Sequence, residues 1–283
     1  MSMMKRFHMP SWNPLLPLVL LALLAISAVA GPYLLPAEST KSDLSVALLP
    51  PAWEGDGQWG HPLGTDASGR DILSRLLDGA KVTAVVAGGA IIISSIIGVV
   101  LGVIAGYFGG IIDSVVMWAV DTLYALPSLI LVIVAVTVIG HSKVSLMVII
   151  GLLGWAGQAR IIRGQVMGLR KREFITLATI GGCSPFRIMR RHIFPNIVGT
   201  VLVLATLNVG SFILLESALS FLGVGIKPPE ASWGVMLSDG RNYISVAWWI
   251  VTFPGIAIGL TILCGNLLGD WLRDRLDPTL QAR

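Results

Sequence analysis

Residues 160–196 read R-I-I-R-G-Q-V-M-G-L-R-K-R-E-F-I-T-L-A-T-I-G-G-C-S-P-F-R-I-M-R-R-H-I-F-P-N, between two long apolar segments. We call this stretch the basic island. It holds eight of the twenty Lys and Arg residues of the chain against the single acid Glu173. The eight are Arg160, Arg163, Arg170, Lys171, Arg172, Arg187, Arg190 and Arg191. So much positive charge between apolar runs is typical of a loop that joins membrane-spanning helices.

Composition supports a membrane protein. Hydrophobic residues make up 54% of the 283 residues and charged residues only 13%, about half the charged share of a soluble domain. Apolar runs of about twenty residues recur, which predicts an all-α polytopic membrane protein with about six transmembrane helices. The runs are continuous and do not alternate with period two, which argues against a β-barrel. The two cysteines and four histidines show neither a disulfide framework nor metal-ligand spacing.

The chain divides into three predicted parts. Residues 1–36 form an N-terminal arm and a first transmembrane helix, in which Trp12 and Tyr33 are spaced to match the bilayer core. An alternative is a cleaved signal peptide ending at residues 28–30. Residues 37–81 form an external segment, and residues 82–283 form a core of five transmembrane helices. The predicted spans of that core are 82–108, 112–139, 144–162, 198–222 and 247–268, with a cytoplasmic loop at 163–196.

The distribution of basic residues predicts the orientation. With six spans, both termini and the basic island share one side, which carries thirteen Lys and Arg residues, while the other side carries seven. The positive-inside rule places the thirteen in the cytoplasm. The acidic segment 37–81 is then outside. Within it, a short amphipathic helix from Ser68 is expected to lie on the membrane surface and to contain an i,i+4 pair between Asp71 and Arg75.

Two carboxylates lie in predicted spans, Asp121 and Glu216. An acid in the bilayer is costly unless it faces protein or a water-filled path, so each is either a structural partner or a group on the transport pathway. Pro127 is expected to kink its helix near Leu123. Glycines spaced by four at positions 98, 102 and 106 predict close packing of one helix face against another.

The basic island contains too many apolar residues for a disordered tail. Glu173–Ile180 is predicted to be helical and to end at Gly181-Gly182. Ser184 is then the N-cap of a second short helix, which is expected to stop at Pro195. We call residues 173–193 the elbow. An exposed elbow with apolar side chains suits a partner protein, whereas the bases alone could serve only to set topology and contact anionic lipid. The pattern leaves both interpretations open.

Several blocks of the sequence resemble a known family. Gly182 with Pro195-Asn196 is similar to the cytoplasmic loop of ABC importer permeases, which has an E-A-A triplet, three residues, a glycine and later an apolar residue and proline. Residues 61–66 (H-P-L-G-T-D), 69–71 (G-R-D), 216–225 (E-S-A-L-S-F-L-G-V-G) and 266–270 (N-L-L-G-D) resemble permeases of dipeptide, oligopeptide and nickel importers. The similarity extends over most of the chain and is greatest to the C-type subunit.

The resemblance implies a type I ABC importer permease fold, whose cytoplasmic coupling-helix loop contacts an ATPase. The implied ATPase-coupling residues are Glu173, Thr176, Leu177, Ala178, Gly182, Arg187 and Pro195. Here Thr176-Leu177-Ala178 stands where the family has E-A-A, and Glu173 lies one turn earlier. The external motif comprises Gly64, Asp66, Arg70 and Asp71.

The implied partners are a second homologous permease, two cytoplasmic ATPases, an external solute-binding protein and the lipid bilayer. Nucleic acid is not among them. The location is the bacterial inner membrane. ATP and Mg²⁺ would be bound by the ATPases, and this chain would bind no cofactor. The solute would be a peptide, or nickel or another metal chelate.

The sequence lacks the common catalytic motifs. It has no G-x-x-x-x-G-K-[ST], no H-E-x-x-H and no G-x-S-x-G, so we expect no enzyme activity, no catalytic residue and no metal site in this chain. An intramembrane enzyme would also need a nucleophile and a base that the sequence does not pair. A proton-coupled secondary transporter that uses Asp121 and Glu216 as a relay is the alternative to an ATP-driven importer.

Overall fold

The computed structural model describes residues 41–227 and 230–276, together with Leu15, Pro17, Leu18, Val19, Ala22 and Ile26. The remaining residues of the predicted first span lie outside this part, as do Pro228-Pro229 and the tail 277–283. The signal-peptide alternative also falls outside it.

Helices dominate the described residues, in which no β-strand occurs. The predicted all-α class is confirmed. The helices are α1 (Ile72–Phe108), α2 (Gly110–Ala125), α3 (Ser128–Ile139), α4 (Lys143–Arg170), α5 (Glu173–Ile180), α6 (Pro185–Phe221), α7 (Trp233–Gly240) and α8 (Trp249–Leu276), with short 3-10 turns at Leu44–Val46 and Arg241–Tyr243.

Within the described residues, four helices, α1, α4, α6 and α8, are long and apolar enough to cross a membrane. Helices α2 and α3 are long and apolar enough only as a pair, and they meet at an angle of 92°. Pro127 causes the break because its ring disfavours the helical conformation of the preceding residue. Leu126 is indeed extended, with φ −109° and ψ 141°. The predicted single span 112–139 is therefore two helices, and the break lies at Leu126 and Pro127 instead of near Leu123.

Helix α1 is longer than its predicted span 82–108. It runs for 37 residues, about 55 Å at 1.5 Å per residue. The short amphipathic helix predicted from Ser68 begins at Ile72 and continues without a break into the predicted span, because no proline interrupts the chain between Ile72 and Val82. The predicted segment 37–81 thus ends inside α1.

Helices α1 and α4 pack closely through the predicted glycine face. A Cβ atom added to Gly98 would lie 2.9 Å from the Trp155 carbonyl oxygen, and one added to Gly102 would lie 2.8 Å from that of Ala159. Gly106 meets the Arg163 carbonyl oxygen at 2.8 Å in the same way. Because these three glycines have no side chain, the backbones of α1 and α4 can approach each other closely.

The basic island is mostly helical. Helix α4 continues to Arg170 and α6 begins at Pro185, so the predicted loop 163–196 reduces to residues 171–172, α5 and residues 181–184. Pro195 does not stop the second helix. A π-helical segment at Met189–Ile193, in which the Phe194 N–H donates to the Met189 carbonyl, carries α6 past the proline. Wider π turns of this kind occur as local bulges inside α-helices.

Candidate functional site

The elbow turns at Gly182. The Cys183 N–H donates to the Ala178 carbonyl at 3.0 Å and the Gly182 N–H to the Thr179 carbonyl at 3.1 Å. These are the two bonds of a Schellman motif, which needs a left-handed residue after the helix. Gly182 supplies it with φ +77°. On the other side of the turn, the Ser184 side chain accepts from the Arg187 N–H, as predicted for an N-cap.

The underside of the elbow is firmly packed. Ile175 is 2% exposed, and Ile188 and Ile193 are fully buried. They join a hydrophobic cluster with residues of α4 and α6, including Ile162 and Val166, and Ala178 and Cys183 pack against its edge. The elbow therefore moves with the ends of two spanning helices, since close-packed interiors transmit displacement.

The outer surface of the elbow is apolar and unusually exposed. Leu177, Ile180 and Phe186 are 67%, 78% and 68% exposed. The side chains of Glu173, Thr176, Arg187 and Pro195 are exposed as well, whereas Ala178 is half-buried. An apolar patch on a rigid support, bordered by charge, is typical of a protein-binding surface.

We expect the conformation of Gly182 to decide whether the elbow keeps its shape. No atom lies within 4 Å of a Cβ built there, so only the backbone angle penalises a substitution. Gly182→Val should raise the free energy of the elbow conformation by about 1–2 kcal/mol. Gly182→Asn should raise it much less, because asparagine tolerates left-handed geometry. The measurement is the affinity of the purified permease for its ATPase. Equal affinities of the valine and asparagine variants would show that this geometry is unimportant for docking.

Two residues of the predicted external motif, Asp66 and Arg70, form a charge network with Arg75 and Asp239, which we call the arginine cluster. Asp66 accepts from Arg70 Nε at 2.7 Å and from Arg75 Nη1 at 2.6 Å. Both arginines also donate to Asp239 of α7, at 3.2 and 2.9 Å. Arg75 and Asp66 are each 2% exposed at their side chains. A buried charge pair of this kind keeps its elements together because separating it leaves an uncompensated charge.

The predicted pair between Asp71 and Arg75 is wrong. Asp71 caps α1 instead, accepting from the Ser74 N–H at 2.7 Å and the Ser74 hydroxyl at 2.8 Å. The other carboxylate oxygen of Asp71 lies 3.1 Å from His61 Nδ1. A carboxylate at an N-cap satisfies free helix donors. Asp71 therefore bonds to Ser74, and Arg75 bonds to Asp66 and Asp239 instead.

Gly64 holds the loop before α1 against α8. Its φ is +82°, and a Cβ there would lie 2.6 Å from the Leu49 carbonyl oxygen. The adjacent Thr65 carbonyl accepts from the indole N–H of Trp249 at 3.0 Å. Glycine is required both for the angle and for the close approach.

Glu216 is completely buried between α6 and α7. Ser220 donates to one carboxylate oxygen at 2.9 Å, and Ser217 lies 3.4 Å from the other. Gly234 of α7 packs against this point, because a Cβ there would lie 2.6 Å from the Ser217 Cα. The local hydroxyls satisfy the carboxylate as buried polar groups require.

Asp121 pairs with Arg160 of the basic island. The two side chains are 69% and 49% exposed within this chain, and the Arg160 guanidinium lies 4.9 Å from the centre of the Tyr124 ring. The structure thus gives both acids partners but does not bring them together. In the described part of the chain no three His, Cys, Asp or Glu side chains are grouped as metal ligands would be.

A groove of about 830 Å³ opens beside the elbow, between α4, α6 and α8. Its polar lining includes Gln165, Asn196 and Arg273. Phe174 and Pro195 of the elbow region belong to the same wall. Displacement of the elbow would therefore change the width of the groove.

Sequence reasoning missed the role of Asp239. It lies 164 residues from Arg75 in the chain, and no spacing rule covers such a distance. The hydroxyls around Glu216 were also missed, although Ser220 stands one helical turn after it and could have been found.

Comparison with known proteins agrees with this architecture. Residues 98–282 match the family described as binding-protein-dependent transport system inner membrane component. The dipeptide transport system permease protein DppC of Bacillus subtilis (strain 168) is 41% identical over 265 residues, covering 93% of this chain and 81% of the relative. The oligopeptide transport system permease protein OppC of Escherichia coli (strain K12) is 42% identical over 261 residues, covering 92% and 85%. The di/tripeptide permease DppC of Pseudomonas aeruginosa (strain UCBPP-PA14) is 36% identical over 264 residues, covering 93% and 87%.

The chain therefore belongs to the family of binding-protein-dependent transport system inner membrane components. It is a multi-pass permease subunit of an ABC importer and not an enzyme, and ATP hydrolysis takes place on separate subunits. The predicted similarity to C-type permeases is confirmed. Such a permease works with an ATPase and a solute-binding protein. None of these findings supports the proton-coupled alternative.

Proposed function

We propose that the elbow docks on a cytoplasmic ATPase and that this chain, paired with a second homologous permease and two ATPases, imports peptides. The observation that carries the proposal is the contrast between the two sides of the elbow. Its underside is buried at Ile175, Ile188 and Ile193, while Leu177 and Ile180 are exposed at its tip. A surface that is rigid and apolar binds a partner without first losing conformational entropy.

The elbow would transmit ATPase closure to the pathway. Phe174 of the elbow and Pro195, two residues beyond it, belong to the wall of the groove between α4, α6 and α8. In the assembled transporter we propose that this groove faces the second permease and forms the inner part of the pathway. We also propose that Asp121 and Glu216 lie near that pathway. Glu216 would act by holding α7 on α6, since it is fully buried between them.

The orientation and cofactor use are part of the same proposal. Both termini and the elbow lie in the cytoplasm, with thirteen of the twenty basic residues on that side. The arginine cluster then lies outside, where α7 and the loop before α1 would receive the solute-binding protein. ATP and Mg²⁺ are bound by the ATPases, and this chain binds no cofactor.

Peptides are proposed as the solute because the relatives named above are dipeptide, di/tripeptide and oligopeptide permeases. We expect the whole transporter to accumulate labelled peptide in the lumen of proteoliposomes when its binding protein is supplied outside. Accumulation should occur only when ATP is present in the lumen, which the ATPases face. The same vesicles with ADP are the control. Accumulation driven by a proton gradient without ATP would contradict the mechanism. Uptake of nickel but of no peptide would contradict the proposal that the solute is a peptide.

A further inference from the structure

The chain closes into a compact loop before it reaches the arginine cluster. The Ala52 N–H donates to the Pro62 carbonyl at 3.2 Å, and the Glu54 N–H donates to the Pro51 carbonyl at 2.9 Å. We call residues 51–62 the tryptophan loop. Because these backbone bonds close it into turns, the loop holds its side chains in a defined direction.

Aromatic contacts fix the tryptophan loop against the first turn of α8. The Trp53 ring lies 6.2 Å from the Phe253 ring at an interplanar angle of 89°, an edge-to-face arrangement that aromatic pairs prefer. The Trp248 ring lies 5.9 Å from the same Phe253 ring, and its indole N–H donates to Glu54 Oε1 at 3.1 Å. Phe253 is the fifth residue of α8, about 6 Å along the helix from its start. Trp53 therefore lies at the level of the first turn of a membrane-spanning helix.

The side of α8 that carries Phe253 is apolar and exposed. Ile256, Leu260 and Leu263 are 51%, 41% and 53% exposed, and they continue from Phe253 at the spacing of three and four residues that defines one helix face. Interfaces between spanning helices are enriched in small residues, and these four positions have none. This face of α8 therefore suits acyl chains.

Tryptophans mark both ends of α8. Trp248 directly precedes the helix, and Trp271 lies in its last two turns, which separates them by about 35 Å at 1.5 Å per residue. The spacing matches a bilayer core of about 30 Å with aromatic rings at each interface. The Trp53 ring contacts the same Phe253 as Trp248 does and is 60% exposed. It therefore belongs to the same interface, although it comes from a loop and not from a spanning helix.

We propose that the tryptophan loop lies in the headgroup region of the bilayer and that the Trp53 ring inserts among the lipids beside Phe253. The leaflet is the one opposite the elbow, because the other end of α8 lines the groove beside the elbow through Arg273. Tryptophan suits this level because its ring is apolar and its indole N–H is polar.

The anchored loop also fixes the arginine cluster relative to the membrane. Thr65, three residues after the loop, accepts from the indole N–H of Trp249, and Asp66 of the cluster follows it directly. A solute-binding protein would then dock on α7 and the arginine cluster, and the tryptophan loop would face lipid.

The test places the photocrosslinking residue p-benzoylphenylalanine at position 53 of the assembled transporter. The complex is held in nanodiscs of phosphatidylethanolamine and phosphatidylglycerol, with its binding protein present, and mass spectrometry identifies the molecule attached after irradiation. The matched control carries the same residue in place of Asp56, which is exposed in the same loop and whose charge favours water. We expect at least about fivefold more lipid adduct from position 53 than from position 56.

The same experiment separates the possible neighbours of Trp53. Attachment to the binding protein or to the second permease instead of lipid would overturn the proposal, as would equal lipid adducts from positions 53 and 56. The new residue keeps an aromatic ring at an exposed position, so the complex should assemble. If it does not, quenching of tryptophan emission by lipids brominated on the acyl chains decides. Trp53→Phe should be quenched less than the wild type, and equal quenching would contradict insertion of Trp53.

Discussion

Replacing Ile180 by aspartate is expected to weaken the binding of the ATPase by at least about thirtyfold, or 2 kcal/mol. Ile180 is 78% exposed at the tip of the elbow, and burying such a side chain at an interface contributes about 1.5–3 kcal/mol. Aspartate would lose that contribution and would also place a charge without a partner at the contact. ATP-driven uptake should fall with the affinity. Leu177→Asp, at the neighbouring exposed position, should have a similar effect.

The measurement is recovery of the ATPase with the affinity-purified permease, followed by titration of the ATPase. Leu44→Asp is the matched control, because Leu44 is 75% exposed and lies in the loop before α1. It makes the same chemical change and should leave ATPase recovery at the wild-type level. Normal ATPase binding by both Ile180→Asp and Leu177→Asp would mean that the elbow is not the docking surface.

Replacing Arg75 by methionine is expected to destabilise the permease by about 3–5 kcal/mol, the usual cost of removing one partner from a buried charge pair. Arg75 is 2% exposed and bridges Asp66 and Asp239. Its loss leaves the buried carboxylate of Asp66 with one cationic partner, Arg70, and the backbone N–H groups of Ser68 and Arg70. The first consequence should be release of α7 from the start of α1, because Asp239 is the α7 residue of this network.

The measurement is the midpoint of thermal unfolding in detergent, with proteolysis of the connection around α7 as a local readout. Lys143→Met is the matched control. It breaks the ion pair between Lys143 and Glu230, whose side chains are 44% and 38% exposed, and should cost less than about 1 kcal/mol. Adding Asp66→Asn to Arg75→Met should restore part of the loss. An Arg75→Met midpoint equal to that of Lys143→Met would disprove a stabilising role of the arginine cluster.

Local signals in the sequence predicted the elbow well. The structure has the α5 bounds Glu173–Ile180, the left-handed residue at Gly182 and the cap at Ser184 as expected. Each depends on hydrogen bonds within about five residues, so a short window contains the whole cause. The lengths of the spanning helices were less predictable. Apolar runs mark where a helix crosses the bilayer, but α1 begins at Ile72 and α4 continues to Arg170, beyond those runs, because nothing ends the helices there.

Pro127 shows the limit of a local rule. The sequence predicted a kink in one span, and the structure has two helices at 92°. Proline removes a donor and restricts the residue before it, but packing around the break sets the final angle. Pro195 has the opposite outcome, since a π-helical segment lets α6 continue through it.

By itself the sequence determined the class of protein, the positions of its four long helices and the local geometry of the elbow. Hydrophobic runs, caps and glycines act over distances that a chain segment contains within itself. Only the tertiary structure decided which charges meet. Asp66 and Asp239 share Arg75, Asp121 finds Arg160, and Glu216 is enclosed by serines of its own helix at the contact with α7. Asp239 lies 164 residues from Arg75, and Arg160 lies 39 residues from Asp121. Only the packing of the helices brings these partners within hydrogen-bonding distance.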